Sequence, residues 1–193
     1  MDVHRLGIKV FIAEPVRLQV TDFIPIFHTW IQKQIVQDHL LVDVHNYSHI
    51  HHGPGILLVA HQGNFSIDMG DGRMGLLYNR KQPDSGTIHD RFVTILKFVL
   101  RGCCLLEADP GLARRLRFRT DELLIIANDR LNTPNEDATF LELQPALSAL
   151  FKRILDGTEF TLSRYSKDPK ERFAVRVQTN QSPEVKTLLA RVS

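Results

Sequence analysis

Leu116–Asn128, LRFRTDELLIIAN, decides what kind of sheet this chain can build. Leu116 and Phe118 alternate with Arg117 and Arg119, the period-two mark of a strand with one buried face. Thr120 followed by Asp121 and Glu122 reads equally as a helix start, with acids in the first turn where the helix dipole favours them. Ile125 and Ile126 favour the strand, because β-branched side chains lose rotamer freedom in a helix and pack well on a pleated surface. The expectation is a strand over Leu123–Ala127.

With a strand there, the end of the chain lines up with its beginning. VFIAEPVRL (Val10–Leu18) faces LIIANDRL (Leu124–Leu131), and PIFHTWI (Pro25–Ile31) faces PALSALF (Pro145–Phe151). NYSHIHHGPGILLV (Asn46–Val59) then faces RYSKDPKERFAVRV (Arg164–Val177). Each copy reads strand–helix–strand–strand, and the likeness recurs in order, which is what makes internal similarity informative. Few pairs are identities, and apolar spacing alone produces part of the match. The candidate repeats are residues 8–61 and 121–178. Their element order is similar to that of tandem strand–helix–strand–strand proteins, including the GyrI-like effector-binding and SOUL haem-binding folds. No motif of either family is present, so the likeness implies no function.

The remaining elements follow from local pattern. Ile8–Ala13 reads as a strand ended by Glu14-Pro15. Behind a cap at Thr21-Asp22, the residues Phe23, Phe27, Trp30, Ile31 and Ile35 recur at helical spacing, with Pro25 in the first turn. Leu40–Ile50 alternates, and Ile56–Ala60 is an apolar return strand after a turn at Gly53-Pro54-Gly55. Asp71-Gly72 signals a two-residue type I′ turn that would pair Met69 with Met74, Ile67 with Leu76 and Phe65 with Tyr78. Thr87 and Asp90 have capping-box spacing. They precede a helix whose stripe is Ile88, Phe92, Ile95, Leu96, Val99, Cys103 and Leu106, stopped before Asp109-Pro110. A helix from about Pro145, strands at Glu159–Tyr165 and Arg172–Val177, and a short helix from Glu184 complete the chain. The fold class is α+β: one domain over residues 1–193, a largely antiparallel sheet or two packed sheets, and four to five helices on one side.

Composition sets the class of partner. The 193 residues are 43% hydrophobic and 24% charged, an ordinary globular balance. A net charge of +2 supplies no field for nucleic acid or an anionic membrane. No apolar run reaches the roughly 20 residues of a spanning helix, and the first residues lack the apolar region and cleavage site of a secretory signal. The two cysteines, Cys103 and Cys104, are adjacent, which excludes a disulfide framework and points to the reduced cytoplasm. With nothing electropositive beside them they read as core-side residues of their helix.

Chemistry concentrates in HNYSHIHHGPG (His45–Gly55), which holds four of the nine histidines. On this alternating strand Asp43, His45, Tyr47, His49 and His51 share one face, with Val42, Val44, Asn46, Ser48 and Ile50 on the other. His49 and His51 then have the spacing of a zinc or iron site, with His61 on the return strand as the third ligand if the turn is three residues long. No Cys-x-x-Cys or His-Glu-x-x-His accompanies them, so the expectation is no bound metal and no cofactor, with hydrogen-bonded or solvated histidines. Tyr47, His49, His51 and His61 are nonetheless the candidate ligand-binding residues. Phosphate-loop, dinucleotide and nucleophile-elbow motifs are missing. Asp68 and Asp71 read as turn acids rather than a catalytic pair. Arg114, Arg115, Arg117 and Arg119 read as a solvated basic face, with only Phe118 interleaved. The leading expectation is a non-catalytic small-molecule or protein-binding module, a homodimer. The alternatives are a metal-dependent or acid–base enzyme using Tyr47, His49, His51 and His61, or a structural subunit of an assembly.

Overall fold

The computed structural model describes every residue except Met1, Asp2, His4, Asp84, Ala113 and Arg114. At its centre β1 (Leu6–Ile12) runs antiparallel to β6 (Phe118–Ala127), pairing Ile8 with Ile125 and Val10 with Leu123. The decisive stretch is therefore a strand, and it begins five residues before Leu123. β6 is also flanked by β8 (Ala174–Thr179), with Leu123 opposite Val177. An interior strand buries both faces, which is why Leu123–Ala127 is continuously apolar rather than alternating.

One sheet of eight strands, ordered β2-β3-β4-β5-β1-β6-β8-β7, includes β2 (Leu41–Tyr47), β3 (Gly55–Ala60), β4 (Gly63–Asp68), β5 (Gly75–Arg80) and β7 (Phe160–Arg164). All neighbouring strands are antiparallel. Four α-helices, α1 (Ile24–Lys33), α2 (Ile88–Ala108), α3 (Asp137–Ile154) and α4 (Val185–Val192), join the main core. Phe27, Trp30, Phe92, Val99, Leu147 and Leu188 pack there against Ile8, Val10, Phe65, Ile125 and Val175. The opposite sheet face carries a separate small cluster of Phe11, Leu77, Leu124, Ile126 and Ala174, to which no helix contributes. Among the described residues no helix is long and apolar enough to cross a membrane.

α2 begins as read, with Thr87 Oγ1 accepting from the Asp90 N–H at 3.2 Å and Asp90 Oδ2 accepting from the Thr87 N–H at 2.8 Å. α3 starts at Asp137 rather than near Pro145, which lies inside it. Proline there removes one hydrogen bond to Leu141, and the helix tolerates this because Pro145 and Leu141 both face solvent.

Two turns differ from the sequence reading. β4 and β5 keep the expected register, Phe65 with Tyr78 and Ile67 with Leu76, but the ladder ends at Asp68–Gly75. The turn is closed by the Gly72 N–H donating to the Met69 carbonyl at 2.9 Å, and only Gly72, at φ 78°, is left-handed. A type I′ turn needs two such residues, so this is a wider loop. β2 stops at Tyr47, opposite Gly55, so residues 48–54 form the turn and His49 and His51 leave the strand. The Asn46 carboxamide oxygen accepts from the Ser48 N–H at 2.9 Å, and Ile50 N–H donates to the Tyr47 carbonyl at 3.0 Å. Asparagine's side chain thus replaces the next ladder bond and bends the chain.

The sheet order also bears on the repeats. β8 lies directly beside β6, whereas β4 and β5 separate β3 from β1. The segments 46–59 and 164–177, alike in sequence, therefore occupy non-equivalent places in the sheet.

Candidate functional site

Lys9 interrupts an apolar strand and lies on the open face of the sheet. Its register neighbours are Leu77 and Leu124, so it shares the face without helices, yet it is fully buried. The β4–β5 turn curls over it. Lys9 Nζ donates to Asp68 Oδ2 at 2.7 Å, Asp71 Oδ1 at 2.5 Å and the Arg73 carbonyl at 2.7 Å. An ammonium has three hydrogens, and all three are used. Such a buried charge is tolerable only when it is paired and fully hydrogen-bonded.

The network continues across the sheet. Arg73 forks onto Glu122, with both N–O distances at 2.9 Å, and its guanidinium lies 3.9 Å from the centre of the Phe11 ring. Arg176 approaches Glu122 at 3.3 Å and lies 4.8 Å from the Tyr165 ring centre. The Arg73 hydrogen bonds hold the Glu122 carboxyl below its ordinary value against the opposing effect of burial, and the same pairing raises the arginine. Asp121 is lowered in the same way by Arg119, which it binds at 2.6 and 3.0 Å.

Beside this network a cleft of about 410 Å³ opens on the sheet face. Leu124, Ile126 and Ala174 form its floor, with Tyr165 at one side. Asp68, Asp71 and His52 line it, and the rest of its charged lining is Arg130, Lys170, Glu171 and Arg172. Asp68 uses Oδ2 for Lys9 and for the Gly70 N–H at 3.1 Å, so no described hydrogen bond falls on its Oδ1. Arg172 is steadied by donating to Asn128 Oδ1 at 2.9 Å. The cleft thus offers an apolar floor ringed by the carboxylates Asp68, Asp71 and Glu171 and the cations Arg130, Lys170 and Arg172, which suits a small organic molecule with one acidic end and one hydrogen-bond donor.

The candidate residues read from sequence are only partly brought together. Tyr47 ends β2, with ring centres 6.0 Å from His45 and 6.5 Å from His49. His51 and His52 stack edge-on at 4.2 Å in the turn, where His52 adopts φ 56°. His61 stands at the other end of the hairpin, its N–H donating to the Leu40 carbonyl at 2.9 Å. Six residues of strand separate it from Tyr47, roughly 20 Å at the usual rise. Among the described residues no group of three or more His, Cys, Asp and Glu is placed to hold a metal.

Other candidates resolve individually. Cys103 is buried and Cys104 half-buried, and burial raises both thiols. Of the basic run, Arg114 lies outside the described residues, while Arg115 donates to the Gly111 carbonyl and Arg119 binds Asp121. His39, unremarked in the sequence, is buried on the helical side, with Nε2 2.8 Å from the Tyr78 hydroxyl. Desolvation lowers its pKa.

Lys9, Arg73, Glu122 and Arg176 were missed as site residues. Only Lys9 carried a signal, a lone charge inside an apolar strand, and its meaning depends on Asp68 and Asp71, some 60 positions away. Compared with protein-family models, curated proteins and solved structures, this chain matches none.

Proposed function

We propose that this chain is a non-catalytic binding module whose ligand is a small organic acid bearing a hydrogen-bond donor, held in the open-face cleft. The observation that carries it is the apolar floor of Leu124, Ile126 and Ala174, with the carboxylates Asp68 and Asp71 and the cations Arg130, Lys170 and Arg172 lining the same cleft together with Glu171. Binding is favoured over catalysis because the lysine beside the cleft has no free hydrogen and both thiols are raised by burial. The ligand's acid would pair with Arg130 and Arg172, and its donor with Asp68 Oδ1. The histidine-bearing turn contributes through His52, with His49 and His51 in the same turn and Tyr47 at the end of β2 before it. A reducing compartment such as the cytoplasm suits the free cysteines. The module acts as a homodimer. A duplicated origin is best read as β1, α1, β4, β5 and α2 against β6, α3, β7, β8 and α4, with β2–β3 inserted.

The test is a thermal-shift and calorimetric screen of amino acids, hydroxy acids and related carboxylates. Binding that Arg130→Glu/Arg172→Glu removes, while the melting temperature without ligand stays the same, supports the reading. Ligands that bind with equal affinity to that variant, or only neutral apolar ones, overturn it.

A further inference from the structure

The sheet has two edges, β2 and β7, and they differ. At β2 the chain uses part of the edge itself. Gln34 donates to the Leu41 carbonyl and accepts from the Leu41 N–H, both at 3.1 Å, and Asp43 accepts from the Val44 N–H at 2.7 Å. A register shift between Leu41 and Asp43 interrupts that strand further. β7 carries no such device, and its register against β8 is continuous from Phe160 to Arg164. The Tyr165 N–H donates to the Ala174 carbonyl at 2.8 Å, so the alternation of an antiparallel ladder turns Ser163 and Thr161 toward β8 as well. The N–H and C=O groups of Phe160, Leu162 and Arg164 therefore point outward, and no described side-chain hydrogen bond falls on them.

A groove of about 900 Å³ lies beside this edge, between β7 and α3. The two elements run in opposite directions. At one end the Phe151 and Phe160 ring centres are 6.1 Å apart, and at the other Arg164 Nε meets Asp137 at 3.2 Å. Gln144, Ser148 and Lys152, each four residues from the next and so on one flank, line the groove from the helix. Half-buried Phe160 and Leu162 line it from the strand. Leu141, 63% exposed, continues the helix flank one turn toward its start. The charged lining residues are Lys152 and Glu159. Glu159 precedes the strand out of phase with Phe160 and Leu162, so a side chain entering the groove at this end meets Lys152.

We propose that the β7 edge and this groove bind an extended peptide segment of a protein partner, added antiparallel so that it lengthens the sheet by one strand. A row of outward N–H and C=O groups is matched by another extended backbone, whose ladder supplies affinity while alternate side chains supply specificity. Peptide residues opposite Phe160 and Leu162 share their face, so these side chains enter the groove. Covering the exposed parts of Phe160 and Leu162 favours apolar residues there. Antiparallel addition sets the C-terminal end of the peptide opposite Phe160, where an acidic side chain pairs with Lys152. A second copy of this chain does not fit in the same way, because its own β7 carries α3 on the face that must enter the groove.

A phage-displayed library of random peptides about seven residues long, enough to span the strand, tests this on the intact chain. The expected selection is apolar at alternate positions and acidic near the C-terminal end. As synthetic peptides these sequences bind in calorimetry. N-methylation at alternate amides weakens them about tenfold or more, while the intervening amides tolerate it. Leu162→Pro deletes an outward N–H that the fold does not use, and weakens binding to a similar extent. Lys152→Glu turns the selected end from acidic to basic. Ser148→Trp fills the groove from the helix and abolishes binding, with circular dichroism reporting whether each variant keeps its fold. Arg130→Glu/Arg172→Glu, in the other cleft, leaves peptide affinity unchanged. A library that yields no enriched sequence overturns the proposal, as do selected peptides that tolerate N-methylation at every amide or bind Ser148→Trp unchanged. So does a dimer, seen by sedimentation, that Leu162→Pro dissociates, because a second copy then holds the edge.

Discussion

At the scale of single residues, two buried ionisable groups are predicted to dominate the response to mutation. Among the described residues Lys9 is the only cation in hydrogen-bond contact with Asp68, and it shares Asp71 with Arg73. Lys9→Met removes the charge and keeps the volume, leaving two largely buried carboxylates short of a partner. A loss of about 3–5 kcal/mol is expected in denaturant unfolding. Asp68→Asn/Asp71→Asn in the same background should recover part of it, and no recovery would assign the loss to packing. His39 behaves differently. With the ring neutral, Nδ1–H donates to the Gln37 carbonyl and Nε2 accepts from the Tyr78 hydroxyl, and protonation would abolish that acceptor. Its pKa in the fold lies below the ordinary 6.5, so its stabilisation is complete above pH 6.5 and is lost as the pH falls through the lower folded value. Unfolding measured between pH 7.5 and 5 should show this decline, and His39→Gln should flatten it.

At the scale of elements, the β4–β5 hairpin shows how a register can be legible while its turn is not. The alternation of Phe65, Ile67, Leu76 and Tyr78 dictates which residues meet, because a slip by one would turn all of them to the open face. The loop geometry depends instead on Lys9, which draws Asp68, Asp71 and the Arg73 carbonyl over β1. Gly72 remains left-handed, with open space where a Cβ would stand. Gly72→Val should therefore cost about 1–3 kcal/mol through backbone strain alone. Gly72→Asn, which tolerates that conformation better, should cost less; equal denaturation midpoints for the two would remove the strain argument. The β2–β3 turn shows the converse: period-two reading ran on through His49 and His51, while the Asn46 side chain ended the strand at Tyr47.

At the scale of the whole molecule, Glu122 ties the β4–β5 turn through Arg73 to β8 through Arg176. Its carboxyl sits below the ordinary 4.5, so its stabilisation is in force above pH 4.5 and disappears as the pH falls through the lower folded value. Glu122→Gln should lower stability at pH 7 by about 1–3 kcal/mol, with the gap to the parent closing as the pH drops below about 4. A gap unchanged at pH 3 would show that packing, not charge, sets the cost. The same network bears on the cleft, because Arg73 and Arg176 hold Phe11 and Tyr165 beside its apolar floor. Mutations there should weaken ligand binding and stability together, whereas Arg130 and Arg172 at the rim should affect binding alone.

What the sequence determined by itself was whatever depends on neighbours along the chain. The α+β class, the α2 capping box at Thr87 and Asp90, the β4–β5 register and the strand at Ile125-Ile126 all rest on periodicities or caps within a few residues. The helix around Pro145 was legible in kind but not in extent, because a proline on a solvent face does not stop a helix the way a buried one does. The tertiary structure decided everything that needs distant residues to meet. It put β5 rather than β3 beside β1, carried His61 away from Tyr47, His49 and His51, and closed Asp68 and Asp71 around Lys9. Charge pairs have no periodicity: opposite signs attract at any sequence separation, and only the folded sheet selects which of them share a face.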